Sequence, residues 1–205
     1  MTTDQKRNQY YEYLFAGLLH DIGKFHQRAL SRPRNHPACG AEFIQSHLAE
    51  HLLAVGCRPE IVSSYVANHH DHTPLVTLAD CISAGERTSI PGEPDDADVR
   101  STPLRPILDG AYAAAPEGKA PRGFDLARVT FDATIFPKVA ENLDMRYPAL
   151  WEEFVAAVKS LPRTKFPECL FAQLLFRLAE FTWCIPGAAY KSRPDISLYD
   201  HSRTT

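Results

Sequence analysis

Residues 18–29 read LLHDIGKFHQRA, an apolar run that breaks into His20-Asp21 and then into Gly23, Lys24 and further basic residues. A helix that only fills a core has no use for a histidine, an aspartate and a lysine within a turn and a half. The stretch therefore predicts a buried helix that ends in a site. Upstream, Tyr10 to about His20 is apolar almost throughout, as expected of a helix buried on most sides. Eight of the nine histidines fall between His20 and His72, which marks this part of the chain as the chemical one.

Outward from that point the pattern is helical. The basic, proline-containing stretch FHQRALSRPRN reads as a loop or a short extension of the first helix. A second helix is expected to start at His36-Pro37, where proline at the first position costs no hydrogen bond, and to run toward Val55. Its stripe is Ala41, Ile44, Leu48, Leu52 and Val55, closed by Gly56. Pro59 opens a third, with Ile61, Val62, Tyr65 and Val66 on its apolar side and Asn68-His69-His70 at its end. Thr73-Pro74 reads as a cap and first-turn proline for a fourth, through Leu75, Leu78, Ala79 and Ile82 toward Arg87. Residues 89–125, rich in Pro, Gly and Asp, predict an irregular, exposed, partly disordered connection. A short strand is expected at Ala127–Phe131. Helical periodicity returns at Trp151, Phe154, Val155, Val158 and Leu161, and again from Leu170 to Phe181. The fold class is mainly α, divided into a core at 1–88, a loop-rich insertion at 89–130 and a helical remainder at 131–205.

Composition narrows the function. At 205 residues the chain suits one domain, and a net charge of −3 argues against a surface that grips duplex nucleic acid over its whole extent. The five cysteines, Cys39, Cys57, Cys81, Cys169 and Cys184, are odd in number and form no C-x-x-C, so reduced thiols in a cytoplasmic protein are expected. No signal peptide or membrane span is legible.

Set on the four expected helices, His20, Asp21, His36, His69, His70 and Asp80 can all converge. Imidazoles with carboxylates suit Mn, Fe, Ni, Co or Zn, and six such groups suit two ions bridged by one carboxylate, for which Asp21 is the natural choice. Two metals about 3.5–4 Å apart activate a water and clamp the oxygens of a phosphate ester. Lys24, three residues from Asp21 and four from His20, shares their face if the helix continues, where it can neutralise charge on the phosphoryl group.

The run HDIGK, then HPACGAEF, NHH and LADCISAGER, resembles the HD metal-dependent phosphohydrolase superfamily. More narrowly, with PLRPIL, TIFP and FTWCIPGAAYKSRPDISLYDHSRTT, the whole chain resembles the N-terminal HD nuclease domain of the large subunit of type III-A CRISPR effector complexes. The resemblance implies a permuted HD helical bundle that cleaves single-stranded DNA with one or two divalent transition metal ions. Its partners would be guide RNA and the other subunits of the complex. His20 and Asp21 match the HD pair; His36, His69, His70 and Asp80 match the remaining metal positions; Lys24 matches the lysine of the H-D-x-G-K run. The family's cyclase motif is absent, and the last residues look like the start of a linker to a palm domain. Most HD hydrolases also supply a His or Glu from an upstream helix, where this chain offers only Tyr10, Tyr11, Glu12 and Tyr13.

The remaining features are read conservatively. His47 and His51, spaced i, i+4, are taken as surface residues; Trp151, Trp183, Phe171, Phe176 and Phe181 as core; Cys81 as a small buried hydrophobe. Arg28, Arg32 and Arg34 are candidate contacts to a DNA backbone. Two other functions stand beside the nuclease: an HD phosphohydrolase acting on a nucleotide or cyclic dinucleotide, and a catalytically inactive scaffold.

Overall fold

Thr2 caps the first helix, α1 (Thr3–Leu19): its hydroxyl accepts the Gln5 N–H at 3.2 Å while the Gln5 side chain accepts the Thr2 N–H at 2.8 Å. The helix thus starts well before Tyr10, because its first turns are polar and exposed and carry no apolar period. The computed structural model describes residues 2–30, 35–71, 74–84, 98–107, 122–139, 141–188 and 194–205. His72, Thr73, Arg87 and most of the expected 89–125 connection lie outside them.

The chain breaks at His20-Asp21 and resumes as α2 (Ile22–Ala29). Next comes α3 (His36–Phe43), which passes through a five-residue π turn (Ile44–Leu48) into α4 (Ala49–Ala54). The single helix expected to reach Val55 is therefore three segments. The π turn re-phases the helix, and Ile44, Leu48 and Leu52 all stay fully buried. Gly56 closes it at φ 81°, a conformation that favours glycine.

After α5 (Pro59–Ala67), helix α6 (Pro74–Ala84) departs from the expected stripe. Leu75, Leu78 and Ile82 are exposed and Val76 is buried. The inward edge is Val76, Asp80 and Ser83, at i, i+4 and i+7, so the helix turns its polar residues toward the protein and its apolar ones away. Cys81 is exposed for the same reason.

Residues 127–131 form no strand. They lie against the end of α8 (Pro167–Thr182), with the Val129 N–H donating to the Glu180 carbonyl at 2.8 Å and the Ala127 carbonyl accepting from Trp183 Nε1 at 3.0 Å. Two-residue strands β1 (Arg122–Gly123) and β2 (Lys138–Val139) pair antiparallel instead. The last helices are α7 (Leu143–Lys159), α8 and α9 (Leu198–Thr204).

An aromatic core joins the early and late helices. Phe25 of α2 meets Trp151 of α7 edge-on at 5.0 Å, Phe43 of α3 stacks on Phe154 at 5.5 Å, and Phe154 meets Phe181 of α8 at 5.7 Å. Of the residues expected there, Phe176 is exposed.

Glu12, the only acid near the upstream position where HD hydrolases place a ligand, is fully buried and engaged elsewhere. Its carboxylate accepts from the Arg58 backbone N–H at 3.0 Å, from Nε at 2.8 Å and from Nη2 at 2.8 Å, tying α1 to the start of α5. Arg58→Ala strands a buried carboxylate on one backbone donor, so a loss of about 3 kcal/mol is expected, read as a lower urea midpoint at unchanged m. A change below about 0.5 kcal/mol, the usual range for surface substitutions, would mean that water solvates Glu12.

Candidate metal centre

The α1–α2 joint supplies the centre's two deepest groups: His20 follows the last residue of α1, Asp21 precedes the first of α2, and both are at most 1% exposed. Asp21 has φ −102° and ψ 3°, which breaks the helix and aims its carboxylate across the break. Around it stand His36 at the start of α3, His69 and His70 just after α5, Asp80 on α6 and His201 on α9.

Two clusters form, one on each oxygen of Asp21. Oδ2 lies 3.4 Å from His20 Nε2 and 3.2 Å from His201 Nε2, and those nitrogens are 3.5 and 3.0 Å from Asp80 Oδ1. Oδ1 lies 3.4 Å from His36 Nε2 and 3.8 Å from His69 Nε2, with His70 Nε2 3.3 Å beyond His36. Within each cluster, His20-Asp21-Asp80-His201 and His36-His69-His70, one ligand atom per residue falls within 4.8 Å of all the others. All six sequence-predicted positions are therefore brought together.

The backbone sets which nitrogens face inward. His20 Nδ1 donates to the Gly17 carbonyl at 2.7 Å and His69 Nδ1 to the Val66 carbonyl at 2.6 Å. A carbonyl can only accept, so both rings carry a proton on Nδ1 and turn Nε2 toward the centre. His69 Nε2 and Asp21 Oδ1 are buried with no hydrogen-bond partner. Buried acceptors left facing one another are costly unless a cation lies among them, and this donor set fits divalent transition ions.

The electrostatics agree. Burial alone would raise the Asp21 carboxyl, but the charges of His20 and Lys24 hold it well below the usual carboxylate range. Asp80 is likewise held low against burial by hydrogen bonds to His20 and His201. Burial opposes a charge on His20, yet Asp21 and Asp80 outweigh it and push the ring up to about 9. His69, with burial dominant, is pushed down to about 4. Lys24 pairs with Asp21 Oδ2 and donates to the Gly187 carbonyl at 3.2 Å, placing its ammonium beside the clusters.

Other expectations need correction. Arg28 is buried, its Nη1 donating to the Pro186 carbonyl at 2.8 Å and its guanidinium 6.0 Å from the Tyr147 ring, so it braces the fold and is not open to a DNA backbone. Arg32 and Arg34 lie outside the described residues. His51 is buried and His47 half-buried in a cavity of about 400 Å³ with Lys159 and Arg163, because α7 covers that side of the π turn. His26 stacks on Trp151 at 4.5 Å and stays outside both clusters.

His201 is the group that sequence reasoning missed. A signal existed in Ser197-Leu198-Tyr199-Asp200, an S-x-x-D helix start that sets His201 one turn in. Ser197 Oγ accepts the Asp200 N–H at 3.0 Å.

Residues 9–89 match the HD domain family. Over 97% of its length it is also 29% identical to the CRISPR system single-strand-specific deoxyribonuclease Cas10/Csm1 (subtype III-A) of Methanocaldococcus jannaschii. It spans only 27% of that relative. Among solved structures it superposes on Csm1 of T. onnurineus with a TM-score of 0.59, at 19% identity, covering 94% of this chain and 27% of that one. A Csm1–Csm4 cassette in complex with AMPPNP gives a TM-score of 0.62 at 18% identity, covering 95% of this chain and 27% of that one. At those identities the structural likeness establishes the fold. The HD match ends before α7, so His201 lies outside the matched residues and joins the two clusters only through the fold.

Proposed function

We propose that this HD domain hydrolyses phosphodiester bonds in single-stranded DNA, as the nuclease part of an RNA-guided type III CRISPR antiviral complex in the cytoplasm. The observation that carries the reading is the Asp21 carboxylate, whose two oxygens face two separate imidazole clusters. The relative that matches nearly the whole chain is a single-strand-specific deoxyribonuclease, and solved relatives occur in Csm1–Csm4 assemblies, which supports the substrate and the partners.

In this reading His20, Asp21, Asp80 and His201 would hold one divalent ion, and His36, His69 and His70, which face the other oxygen of Asp21, would hold a second. Mn, Fe, Co, Ni and Zn all suit such donors. When bound, the ions supply Lewis acidity and a water of lowered pKa. The chain's own groups do the rest. Gly17 and Val66 carbonyls keep Nε2 of His20 and His69 aimed inward, and the low-lying carboxyls of Asp21 and Asp80 stay ionised to balance charge. Lys24, already between Asp21 and the Gly187 carbonyl, faces negative charge that grows on the phosphoryl oxygens or the departing oxygen. Arg32 and Arg34 would hold the strand's phosphates, which reconciles a chain of net charge −3 with a polyanionic substrate.

The test is a substrate panel with protein purified without chelator. Labelled single-stranded DNA, the same sequence as duplex, and a set of nucleotides and cyclic dinucleotides are each incubated with Mn²⁺, Ni²⁺ or Co²⁺. Cleavage of the single strand alone, abolished by EDTA and restored by added metal, is expected. Turnover of a nucleotide with intact single strands would overturn the substrate assignment, and no metal-stimulated reaction on any of them would leave the scaffold reading.

A further inference from the structure

His47 and His51 belong to neither cluster of the metal centre, yet both line one cavity of about 400 Å³. The π turn places His47, whose ring stands edge-on to Phe43 at 5.8 Å, and α4 places His51 one turn further on. From the other side come Lys159, the last residue of α7, and Arg163, which follows that helix. Four basic side chains from two distant parts of the chain therefore face one space.

Their charges are only partly matched. Glu50 is the one acid among the residues that line the cavity, and Arg163 Nη2 takes it. A guanidinium carries five N–H donors, so most of those on Arg163 remain for another acceptor. Lys159 makes no ion pair with any described residue. Burial pushes both rings below the ordinary histidine value, and the next influence on each is a cation, Lys159 for His47 and Arg163 for His51. His26 adds to this on His47, while the Ser46 backbone and Glu42 act the other way, as Glu50 does on His51.

We infer that this cavity is a binding site for a phosphate ester, held between Lys159 and Arg163 with His47 and His51 as further donors. The inference stands apart from the metal-centre reading. An oxyanion gives the ammonium and the guanidinium a counter-charge and gives each imidazole an acceptor for its N–H. Two histidines four residues apart also match a helical metal pair. A metal ion here, however, would stand beside two fixed positive charges, and the only carboxylate in reach is already held by Arg163. Size favours an ester over a bare anion, because a cavity of about 400 Å³ falls among small-molecule sites, which run from about 300 to 1,000 Å³. The same chemistry occurs on a free nucleotide and along a nucleic-acid strand.

The experiment uses the 205-residue chain with EDTA present, so that no ion at the metal centre draws the phosphate. Long-range ¹H–¹⁵N spectra of the histidine rings follow titrations with inorganic phosphate, adenosine 5′-monophosphate, adenosine, and an oligothymidylate with and without a 5′-phosphate. Phosphate and the monophosphate are expected to move the His47 and His51 signals along one binding curve, and adenosine to move neither. The strands then tell the source, each result supporting the site: binding of both points to internal phosphates, binding of the phosphorylated one alone to a strand end, and binding of the monophosphate alone to a free nucleotide. Lys159→Gln should weaken monophosphate binding about fivefold and Arg163→Gln, which also frees Glu50 to repel the anion, roughly tenfold, while Lys6→Gln at the start of α1 leaves it unchanged. Both tested positions are exposed, and thermal melts separate any loss of the helix-end charge of Lys159 from loss of binding. Ring signals that stay still in millimolar phosphate, an affinity that Lys159→Gln does not change, or signals moved by Zn²⁺ and by no phosphate overturn the inference and leave the metal centre as it stands.

Discussion

Asp21→Asn is expected to abolish metal-stimulated cleavage, with a loss of roughly 10³-fold or more, because orienting partners of a metal ligand alone cost about 10–100-fold. The substitution keeps the side chain's shape but removes its charge and turns one oxygen into an NH₂ donor. Whichever way the amide lies, that donor occupies the place of an oxygen that faces imidazole nitrogens: Nε2 of His36 and His69 on one side, or of His20 and His201 on the other. One cluster then loses its oxygen ligand and both lose the negative charge. Lys24 also loses the anion that holds it. The checks are cleavage of labelled single-stranded DNA and calorimetric Mn²⁺ binding. An Asn variant that cuts at the wild-type rate would show that the nuclease centre lies elsewhere.

Gly23→Ala should be the most damaging change that removes no polar group. A Cβ at this position would stand 1.8 Å from the His36 carbonyl oxygen and 2.6 Å from the Gly40 nitrogen, both backbone atoms, so α2 and α3 would have to part. Overpacking of this kind costs about 3 kcal/mol or more, equivalent to a fall in Tm of roughly 6–12 °C for a chain of this size. The damage is also directed. Moving α3 moves His36, so the His36-His69-His70 cluster should lose affinity before the deeper one. Gly17→Ala serves as the control, since its Cβ would meet nothing nearer than 3.9 Å. It should be neutral or slightly stabilising in a helix. Two alanine variants of equal stability would remove the close helix crossing from the account.

Much of the centre was legible because its residues follow the helix ends. His20-Asp21 breaks an apolar run, His36-Pro37 starts a helix and His69-His70 closes one, and each of these junctions is visible in local chemistry. Asp80 was legible as a carboxylate on a helix, yet the face of that helix was not. Leu75, Leu78 and Ile82 form the apolar period that pattern reading assigns to a core, whereas the protein buries Val76 and turns the half-buried Asp80 and Ser83 inward on α6. Periodicity detects a stripe but not the side from which neighbours come, and a centre that demands buried polar groups inverts the rule. The same limit applies to Arg28, whose charge suggested solvent and whose guanidinium meets the Pro186 carbonyl. His201 was hidden for another reason: its partner His20 is 181 residues away, and no local pattern reports a contact of that separation.

That separation also sets an order of assembly. Ribosomes deliver α1 through α6 first, and with them both aspartates and four of the five clustered imidazoles, in a form that can collapse around Phe25 and Phe43 before α7 exists to cover them. The deep cluster stays one donor short until residue 201 has emerged and α9 has docked against Ser83. A growing polypeptide therefore gains the last of these inward-facing nitrogens only after α7 and α8 have been made.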